Sequence, residues 1–190
     1  MRDRESTDDV TDPFRPAVDA FDQAVDDWFE PLRRNPAADR VFYAASAIGD
    51  FSLIWHVLGA WKGLLPGGKP RDAVRLSAVM AIESALVNQG VKRLFGRVRP
   101  NRGDGGGERN IRQPITSSFP SGHASAAMTA AAMLSRRSRF GVVYYALGAV
   151  VATSRIHVKM HHASDVAAGA VTGAVIGRVA SRVLDAVERS

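Results

Sequence analysis

The chain of 190 residues contains no cysteine, which excludes disulfide bonds, thiolate zinc sites and cysteine nucleophiles. It also lacks any uninterrupted run of about 18 apolar residues, the pattern that identifies a transmembrane helix without further argument. The first forty residues contain no apolar segment, so we expect no cleavable signal peptide. Lysine is scarce beside arginine, which suits bidentate phosphate binding, although coding bias explains the same ratio.

Charge is distributed unevenly along the chain, whose formal net charge is +6. Residues 1–40 contain eleven Asp and Glu and six Arg, a net charge of −5, which leaves +11 for residues 41–190. A basic body behind an acidic segment indicates an anionic partner: nucleic acid, a membrane surface or a phosphate ester. Composition alone does not separate these three.

The length of the chain is that of one domain. The N-terminal part of the chain differs in composition from the rest. Residues 1–12 are polar and charged, which predicts a disordered tail. Over residues 13–34, apolar side chains recur at helical spacing among acidic ones and predict an amphipathic helix. Such a helix lies on a membrane interface, across the mouth of a helical bundle, or on the surface of a soluble bundle.

Five apolar windows of helical length follow within residues 41–184 and predict a catalytic helical bundle. They span residues 41–65, 72–95, 121–135, 140–154 and 164–184. Small residues at four-residue spacing let helices pack closely in lipid, although an alanine-rich soluble bundle packs similarly. We expect an all-α fold with about five transmembrane helices plus the N-terminal amphipathic helix. Asp50, His56 and Glu83 fall inside windows, so we expect them to face the bundle interior.

Three polar clusters lie at the ends of the predicted helices, at residues 92–100, 121–123 and 154–165. In an up-and-down bundle, the end of one helix and the start of the next share a face. We therefore expect the three clusters to form one composite site at one end of the bundle. Two short basic loops, at residues 62–75 and 136–139, fall at the other end.

The residues of these clusters suit a phosphate group. Lys92, Arg99 and Arg155 supply positive charge, and the arginine fork matches the geometry of phosphate oxygens. Ser121 is a good N-cap for the third window, and Gly122 permits close approach to its backbone. The exposed N–H groups and the dipole of such a helix start bind anions.

Two imidazoles, those of His123 and His161, titrate near neutral pH and suit proton transfer or nucleophilic attack. Asp165 follows His161 by four residues, a spacing that orients the imidazole and stabilises its positive charge. The same region resembles a zinc site, because His157 and His161 have ligand spacing and His162 and Asp165 lie nearby. The three cations oppose this alternative, since they weaken binding of a divalent metal.

Three segments carry a family resemblance. Residues 92–100 read lysine, six residues, Arg-Pro; residues 120–123 read Pro-Ser-Gly-His; residues 154–165 read Ser-Arg, five residues, His, three residues, Asp. In this order, and with every defining residue present, they resemble the three signatures of the type-two phosphatidic acid phosphatase (PAP2) superfamily. The resemblance covers about residues 40–184, and the compact chain looks like short actinobacterial members, which include decaprenylphosphoryl-phosphoribose phosphatases.

The resemblance implies a role for each signature residue. His161 would be the nucleophile that forms a phosphohistidine, Asp165 its partner, and His123 the acid that protonates the leaving alkoxide. The phosphoryl oxygens would be held by Lys92, Arg99, Ser121, Gly122 and Arg155. The family needs neither metal nor cofactor, which opposes the zinc alternative. Five residues outside the signature positions are expected to be ordinary interfacial charges, or at most to support the site or contact a headgroup. They are Arg93, Arg97, His157, Lys159 and His162.

The resemblance also implies partners and a location. We expect a lipid phosphate substrate and a multi-pass cell-membrane protein of the lipid-phosphatase branch, with no nucleic-acid partner. Polyprenyl-linked substrates are slightly preferred over glycerolipids. The acidic N-terminal segment favours an extracytoplasmic active site, although Arg33, Arg34 and Arg40 oppose this under the positive-inside rule. Two alternatives remain open: a vanadate-dependent haloperoxidase using the same pocket, and a non-catalytic membrane protein that binds anionic lipid.

Overall fold

The computed structural model describes residues 14–101 and 116–190, and every regular element in these ranges is helical, which confirms the all-α prediction. The predicted tail at residues 1–12 lies outside the described residues. The seven α-helices are α1 (Arg15–Arg33), α2 (Pro36–Ile48), α3 (Leu53–Leu64), α4 (Pro70–Ser84), α5 (Gly122–Ser135), α6 (Gly141–His157) and α7 (Ala163–Val187).

Helix α5 lies at the centre of the bundle, where it packs mainly against α6 and α7. Most of its residues are buried, because its alanine-rich sequence presents small side chains on every face. The contact with α7 is backbone to backbone. A Cβ atom on Gly173 would lie 2.0 Å from the carbonyl oxygen of Ser125, and one on Gly169 would lie 2.4 Å from that of Ser121. The small residues of α7 therefore hold the start of α5 in a fixed position.

The first apolar window is not one continuous helix. Helices α2 and α3 meet at 64°, and the short 3-10 turn Asp50–Ser52 lies between them. Phe51 and Ser52 adopt left-handed backbone angles, with φ of 54° and 58°, which ends the hydrogen-bond ladder of α2. The bend turns Asp50 toward the start of α5.

The second apolar window also changes geometry before its end. Helix α4 continues as a π-helical turn, Ala85–Gly90, and then as a 3-10 turn, Val91–Leu94. Single π-helical turns inside helices occur frequently at functional sites, because they redirect the side chains that follow. Here the redirected residues include Asn88 and Lys92, both of which reach the start of α5.

The predicted amphipathic helix is α1, and it lies across one end of the bundle. Near its C-terminus, Arg33 donates from Nε to the carbonyl oxygen of His157 at the end of α6, over 2.9 Å. Nearer its start, Asp22 accepts a hydrogen bond of 2.7 Å from the backbone N–H of Ser164 in α7. The large apolar residues Phe14 and Trp28 point outward instead and are mostly exposed.

Within the described residues, α7 is the one helix that by itself is long and apolar enough to cross a membrane. Helices α2 and α3 meet the same criterion only when they are taken together as a bent pair. The other windows form shorter helices of the same bundle.

Candidate active site

The start of α5 forms one wall of the site. Ser121 is its N-cap and is fully buried, and its hydroxyl accepts from the backbone N–H of Ala124. Gly122 follows at a point where a side chain has no room. A Cβ atom there would lie 2.8 Å from Oδ1 of Asn88 and 3.5 Å from Nζ of Lys92. A glycine therefore allows the polar ends of Asn88 and Lys92 to approach the N–H groups of the helix start.

A cavity of about 460 Å³ opens in front of this helix start. Six of the eight residues that the sequence singled out line it: Lys92, Arg99, Gly122, His123, Arg155 and His161. The other two, Ser121 and Asp165, are fully buried beside it. The bundle thus brings all three polar clusters to one end, and the volume suits a small molecule or headgroup.

Three cations surround the cavity. Arg99 donates from Nη1 to the carbonyl oxygen of Met160 over 2.7 Å, and Arg155 is buried and donates to the hydroxyl of Ser46. The pKa of Lys92 is lowered to about 8, chiefly by burial and then by the nearby positive charges of Arg99 and Arg155. A site in which cations repel one another in this way favours a multiply charged anion between them.

The imidazole of His161 is held in one tautomer. Its Nδ1 lies 2.7 Å from the carbonyl oxygen of Ser118, which can only accept a hydrogen bond. Nδ1 therefore carries the proton, and Nε2, 3.4 Å from Nη1 of Arg99, keeps its lone pair. Burial lowers the pKa of His161 to about 4, the cations around it act in the same direction, and Asp165 opposes them. At neutral pH the ring is therefore uncharged and keeps a lone pair on Nε2.

Asp165 supports His161 less directly than its spacing predicts. Its Oδ2 lies 3.8 Å from Nδ1 of His161, which is ion-pair distance rather than hydrogen-bond distance. The carboxylate is occupied elsewhere, because Oδ2 accepts from the backbone N–H of His162 over 2.9 Å and thereby caps α7. The carbonyl of Ser118, which sequence reasoning did not single out, supplies the hydrogen bond that orients His161.

His123 has a partner that sequence reasoning also missed. Its Nε2 lies 2.8 Å from Oδ1 of Asp50, in the bend between α2 and α3. The sequence placed Asp50 inside the bundle but gave no reason to pair it with a histidine 73 residues away. Since a carboxylate accepts hydrogen bonds, Nε2 of His123 carries a proton, and Nδ1 is the other nitrogen available for chemistry.

Arg97 is not the interfacial charge that its position outside the signatures suggested. Its Nη1 donates to Oδ1 of Asp165 over 2.8 Å and to the hydroxyl of Ser164 over 2.6 Å. Its Nη2 donates to Oδ2 of Asp22, in α1, over 2.6 Å. Asp22 and Asp165 are both buried. Helix α1 therefore contributes a carboxylate to the support of the site, through contacts that no short motif encodes.

His157 is likewise a buried residue rather than an interfacial charge. Its Nε2 lies 3.0 Å from Oδ1 of Asp39, and its ring stacks on that of Phe42 with centroids 4.5 Å apart. Its neighbour in the zinc alternative, His161, is turned toward Ser118. In residues 14–101 and 116–190, no group of three or more His, Cys, Asp or Glu side chains is arranged to hold a metal ion.

Comparisons with known proteins agree with this geometry. The family model of the PAP2 superfamily matches residues 72–189. A decaprenylphosphoryl-5-phosphoribose phosphatase of Mycolicibacterium smegmatis is 34% identical over 129 residues, which are 66% of this chain and 68% of the relative.

Two solved structures share the fold. One is a PAP2-type phosphatidylglycerolphosphate phosphatase from Bacillus subtilis, at a TM-score of 0.69 and 20% identity, with 94% of this chain and 89% of that chain covered. The other is LpxE of Aquifex aeolicus, at a TM-score of 0.64 and 22% identity, with 82% of this chain and 93% of that chain covered. With the match to the family model and the 34% identical relative, these findings show that the chain belongs to the PAP2 superfamily.

Proposed function

We propose that this protein is an integral-membrane lipid phosphate phosphatase that works through a phosphohistidine intermediate. One observation carries the proposal: two imidazoles, those of His161 and His123, share a single cavity with the cations Lys92, Arg99 and Arg155. Cations for the phosphoryl oxygens, a neutral nucleophile and a second imidazole for proton transfer are what phosphoryl transfer requires.

In the first step, Nε2 of His161 forms a bond to phosphorus while the bond from phosphorus to the leaving oxygen breaks. The three cations and the N–H groups at Gly122 bind the non-bridging oxygens, whose charge they stabilise. His123, which enters this step as an imidazolium held at Nε2 by Asp50, gives a proton from Nδ1 to the leaving alkoxide and becomes neutral. The positive charge that develops on His161 is stabilised by Asp165 at ion-pair distance.

In the second step, His123 takes a proton from a water molecule whose oxygen attacks phosphorus. The bond between phosphorus and Nε2 breaks, inorganic phosphate leaves, and both histidines return to their starting states. The side chains of this cavity thus account for the nucleophile, the acid–base group and the charge stabilisation. We therefore expect turnover without an added metal ion or cofactor.

For the substrate we propose a lipid phosphomonoester or diphosphate, with polyprenyl-linked lipids preferred over glycerolipids. The relative from Mycolicibacterium smegmatis, named for decaprenylphosphoryl-5-phosphoribose, supports this preference. Large aliphatic residues are exposed on several helices of the bundle and support contact with lipid tails. They include Leu53, Val57, Ile82, Val142, Val171 and Val175.

We also propose that the bundle crosses the membrane several times with the active site on the extracytoplasmic side. The basic loops at residues 62–75 and 136–139 lie at the opposite end, and basic loops favour the cytoplasm. Because the chain has no cysteine, single substitutions report on each side without a background. Membrane-impermeant maleimide should label Asn101→Cys in intact cells and leave Ser138→Cys unlabelled, and the reverse pattern would contradict this orientation.

The chemistry is tested by phosphate release in detergent from a panel of phosphatidic acid, phosphatidylglycerophosphate, prenyl diphosphates and prenyl phospho-sugars. We expect His161→Ala and His123→Ala to abolish turnover. His162→Asn, which keeps an N-cap for α7, should retain most of it. A phosphoryl group trapped on the wild-type protein and absent from His161→Ala, stable in alkali and labile in acid, would identify the intermediate.

Two results would overturn the proposal. Bromide oxidation by the vanadate-loaded protein, without any phosphatase activity, would make the chain a haloperoxidase. Lipid binding that His161→Ala leaves intact, again without turnover by the wild type, would make it a non-catalytic protein that binds anionic lipid.

A further inference from the structure

The cavity extends beyond the residues that suit phosphate. On the side of α3 and α4 its lining includes, beside Met80 and Ala81, five polar residues: His56, Ser77, Glu83, Ser84 and Asn88. We call these five residues the polar wall. None of them belongs to a signature segment, and the mechanism above uses none of them. Glu83 is buried, and in a bundle that faces hydrocarbon a buried ionisable side chain is costly and is usually found where it has a function.

The polar wall contains two hydrogen-bonded pairs. Nδ1 of His56 lies 2.9 Å from the hydroxyl of Ser77, which joins α3 to α4. Asn88 donates from Nδ2 to the hydroxyl of Ser84 over 3.1 Å. Hydroxyl and imidazole groups have further donor or acceptor capacity beyond one bond each. Both pairs can therefore bind an additional polar group.

Glu83 lies between these pairs in sequence and is 1% exposed. Its Oε1 has no hydrogen-bond partner within the described part of the chain. The hydroxyl of Ser125, on α5, interacts with the carboxyl of Glu83, but no donor of the described residues reaches Oε1 at hydrogen-bond geometry. A buried acceptor without a donor costs about 1–3 kcal/mol, so a ligand hydroxyl that donates to Oε1 would bind favourably at this position.

The polar wall lies in the same cavity as the imidazole that we propose to protonate the leaving oxygen. His123 protonates the leaving oxygen, so the rest of the leaving group extends past this imidazole. Asn88 marks the border, because its Oδ1 lies 2.8 Å from where a Cβ atom of Gly122 would be, next to His123. Because His123 and the polar wall line the same cavity, a leaving group that extends past His123 within this cavity meets the polar wall.

We propose that the polar wall is a subsite for hydroxyl groups on the leaving group. This inference rests on the proposed phosphatase function and narrows its substrate class. The substrate is a lipid whose phosphate is esterified to a sugar or polyol with free hydroxyls, and Glu83 accepts a hydrogen bond from one of them. Phosphatidic acid and prenyl diphosphates have no hydroxyl at this position, and a site that binds a hydroxyl discriminates strongly against analogues without one.

The test compares kcat/KM for two detergent-solubilised lipids, phosphatidylglycerophosphate, whose leaving glycerol has a free hydroxyl, and phosphatidic acid, whose leaving group has none. The variant is Glu83→Met, similar in volume but without an acceptor. Gln89→Leu is the matched control, because Gln89 lies near Glu83 in the chain but outside this cavity. Glu83→Gln keeps an acceptor and should give an intermediate result.

We expect the wild type to prefer the hydroxylated lipid by about tenfold or more. Glu83→Met should lower kcat/KM for that lipid about tenfold and leave that for phosphatidic acid within about threefold, while Gln89→Leu changes neither. An unchanged thermal midpoint shows that the variants are folded.

Equal losses on both lipids, or no loss on either, would overturn the subsite and leave the phosphatase function standing. A wild type that releases phosphate from neither lipid nor from a prenyl phospho-sugar would overturn the proposed function and the subsite with it.

Discussion

Arg97 donates a hydrogen bond of 2.8 Å to Oδ1 of Asp165, the carboxylate that lies at ion-pair distance from the proposed nucleophile His161. The other branch of the same guanidinium binds Asp22 of α1 over 2.6 Å. One arginine thus connects the N-terminal helix to the carboxylate behind the active site. Because both carboxylates are buried, each depends on this cation for its charge to be tolerated.

Loss of Arg97 should destabilise the fold and reduce catalysis together. Arg97→Ala leaves two buried carboxylates without their shared cation, so we expect a loss of about 3–5 kcal/mol in unfolding free energy. Thermal unfolding in detergent measures it. Arg93→Ala is the control, since Arg93 is exposed and donates to the exposed side chain of Gln89, and its effect should be within about 0.5 kcal/mol. Equal stability of the two variants would show that Arg97 has no supporting role.

Asp50 should matter most when the leaving group is poor. Asp50→Asn weakens the hydrogen bond that orients His123, so proton transfer to an alkoxide should be slower. An aryl oxide is a good leaving group and depends much less on a general acid. We expect kcat on a lipid phosphate to fall about 10–100-fold, and kcat on p-nitrophenyl phosphate to fall much less. Phe51 is the exposed neighbour of Asp50 in the bend, so Phe51→Ala provides the control for the bend itself. An equal decrease on both substrates would assign Asp50 to folding rather than to the acid.

The alkaline limb of the pH profile should follow Lys92. The pKa of Lys92 is lowered to about 8, so the ammonium loses its proton as pH rises through this value and phosphate binding weakens. We expect kcat/KM to decrease above about pH 8 while His161, whose pKa is lowered to about 4, remains neutral over the whole range. Lys92→Arg keeps its charge at all these pH values. The kcat/KM of this variant should therefore begin to decrease at a higher pH than that of the wild type, even if its maximum is lower. A decrease at the same pH as in the wild type would assign the titration to another group.

The contact between α5 and α7 should not tolerate a methyl group. In Gly173→Ala the new Cβ atom would lie 2.0 Å from the carbonyl oxygen of Ser125, so the helices must separate. We expect destabilisation of at least about 1–3 kcal/mol, measured by thermal unfolding in detergent. Gly96→Ala, where nothing lies within 4 Å of the added atom, should be nearly neutral. A neutral Gly173→Ala would mean that the two backbones are further apart than described.

Excess chelator should leave turnover unchanged, because the side chains of the cavity supply the nucleophile, the proton transfer and the positive charge. The measurement is phosphate release with and without EDTA after dialysis. Loss of activity with EDTA and its return with zinc would revive the ligand interpretation of His157 and His161. In that case His157→Ala should lose the response to zinc.

Much of the site could be predicted from local sequence, because its parts lie at helix ends that periodicity locates. The N-cap Ser121, the glycine after it and the cations at the ends of neighbouring windows belong to short segments. Counting helices then placed those segments at one end of the bundle. Which carbonyl orients His161 could not be predicted, since Ser118 contributes a backbone atom that any residue possesses.

The sequence by itself determined the helical class, the family and the residues that suit phosphate, because periodicity and spacing are properties of the chain. Only the tertiary structure decided what supports the two histidines. Asp50 reaches His123 because two residues in left-handed conformation bend the first window, and Asp22 reaches Arg97 because α1 lies across the bundle end. These pairings join distant segments, and their energies depend on burial, which only the packed helices establish.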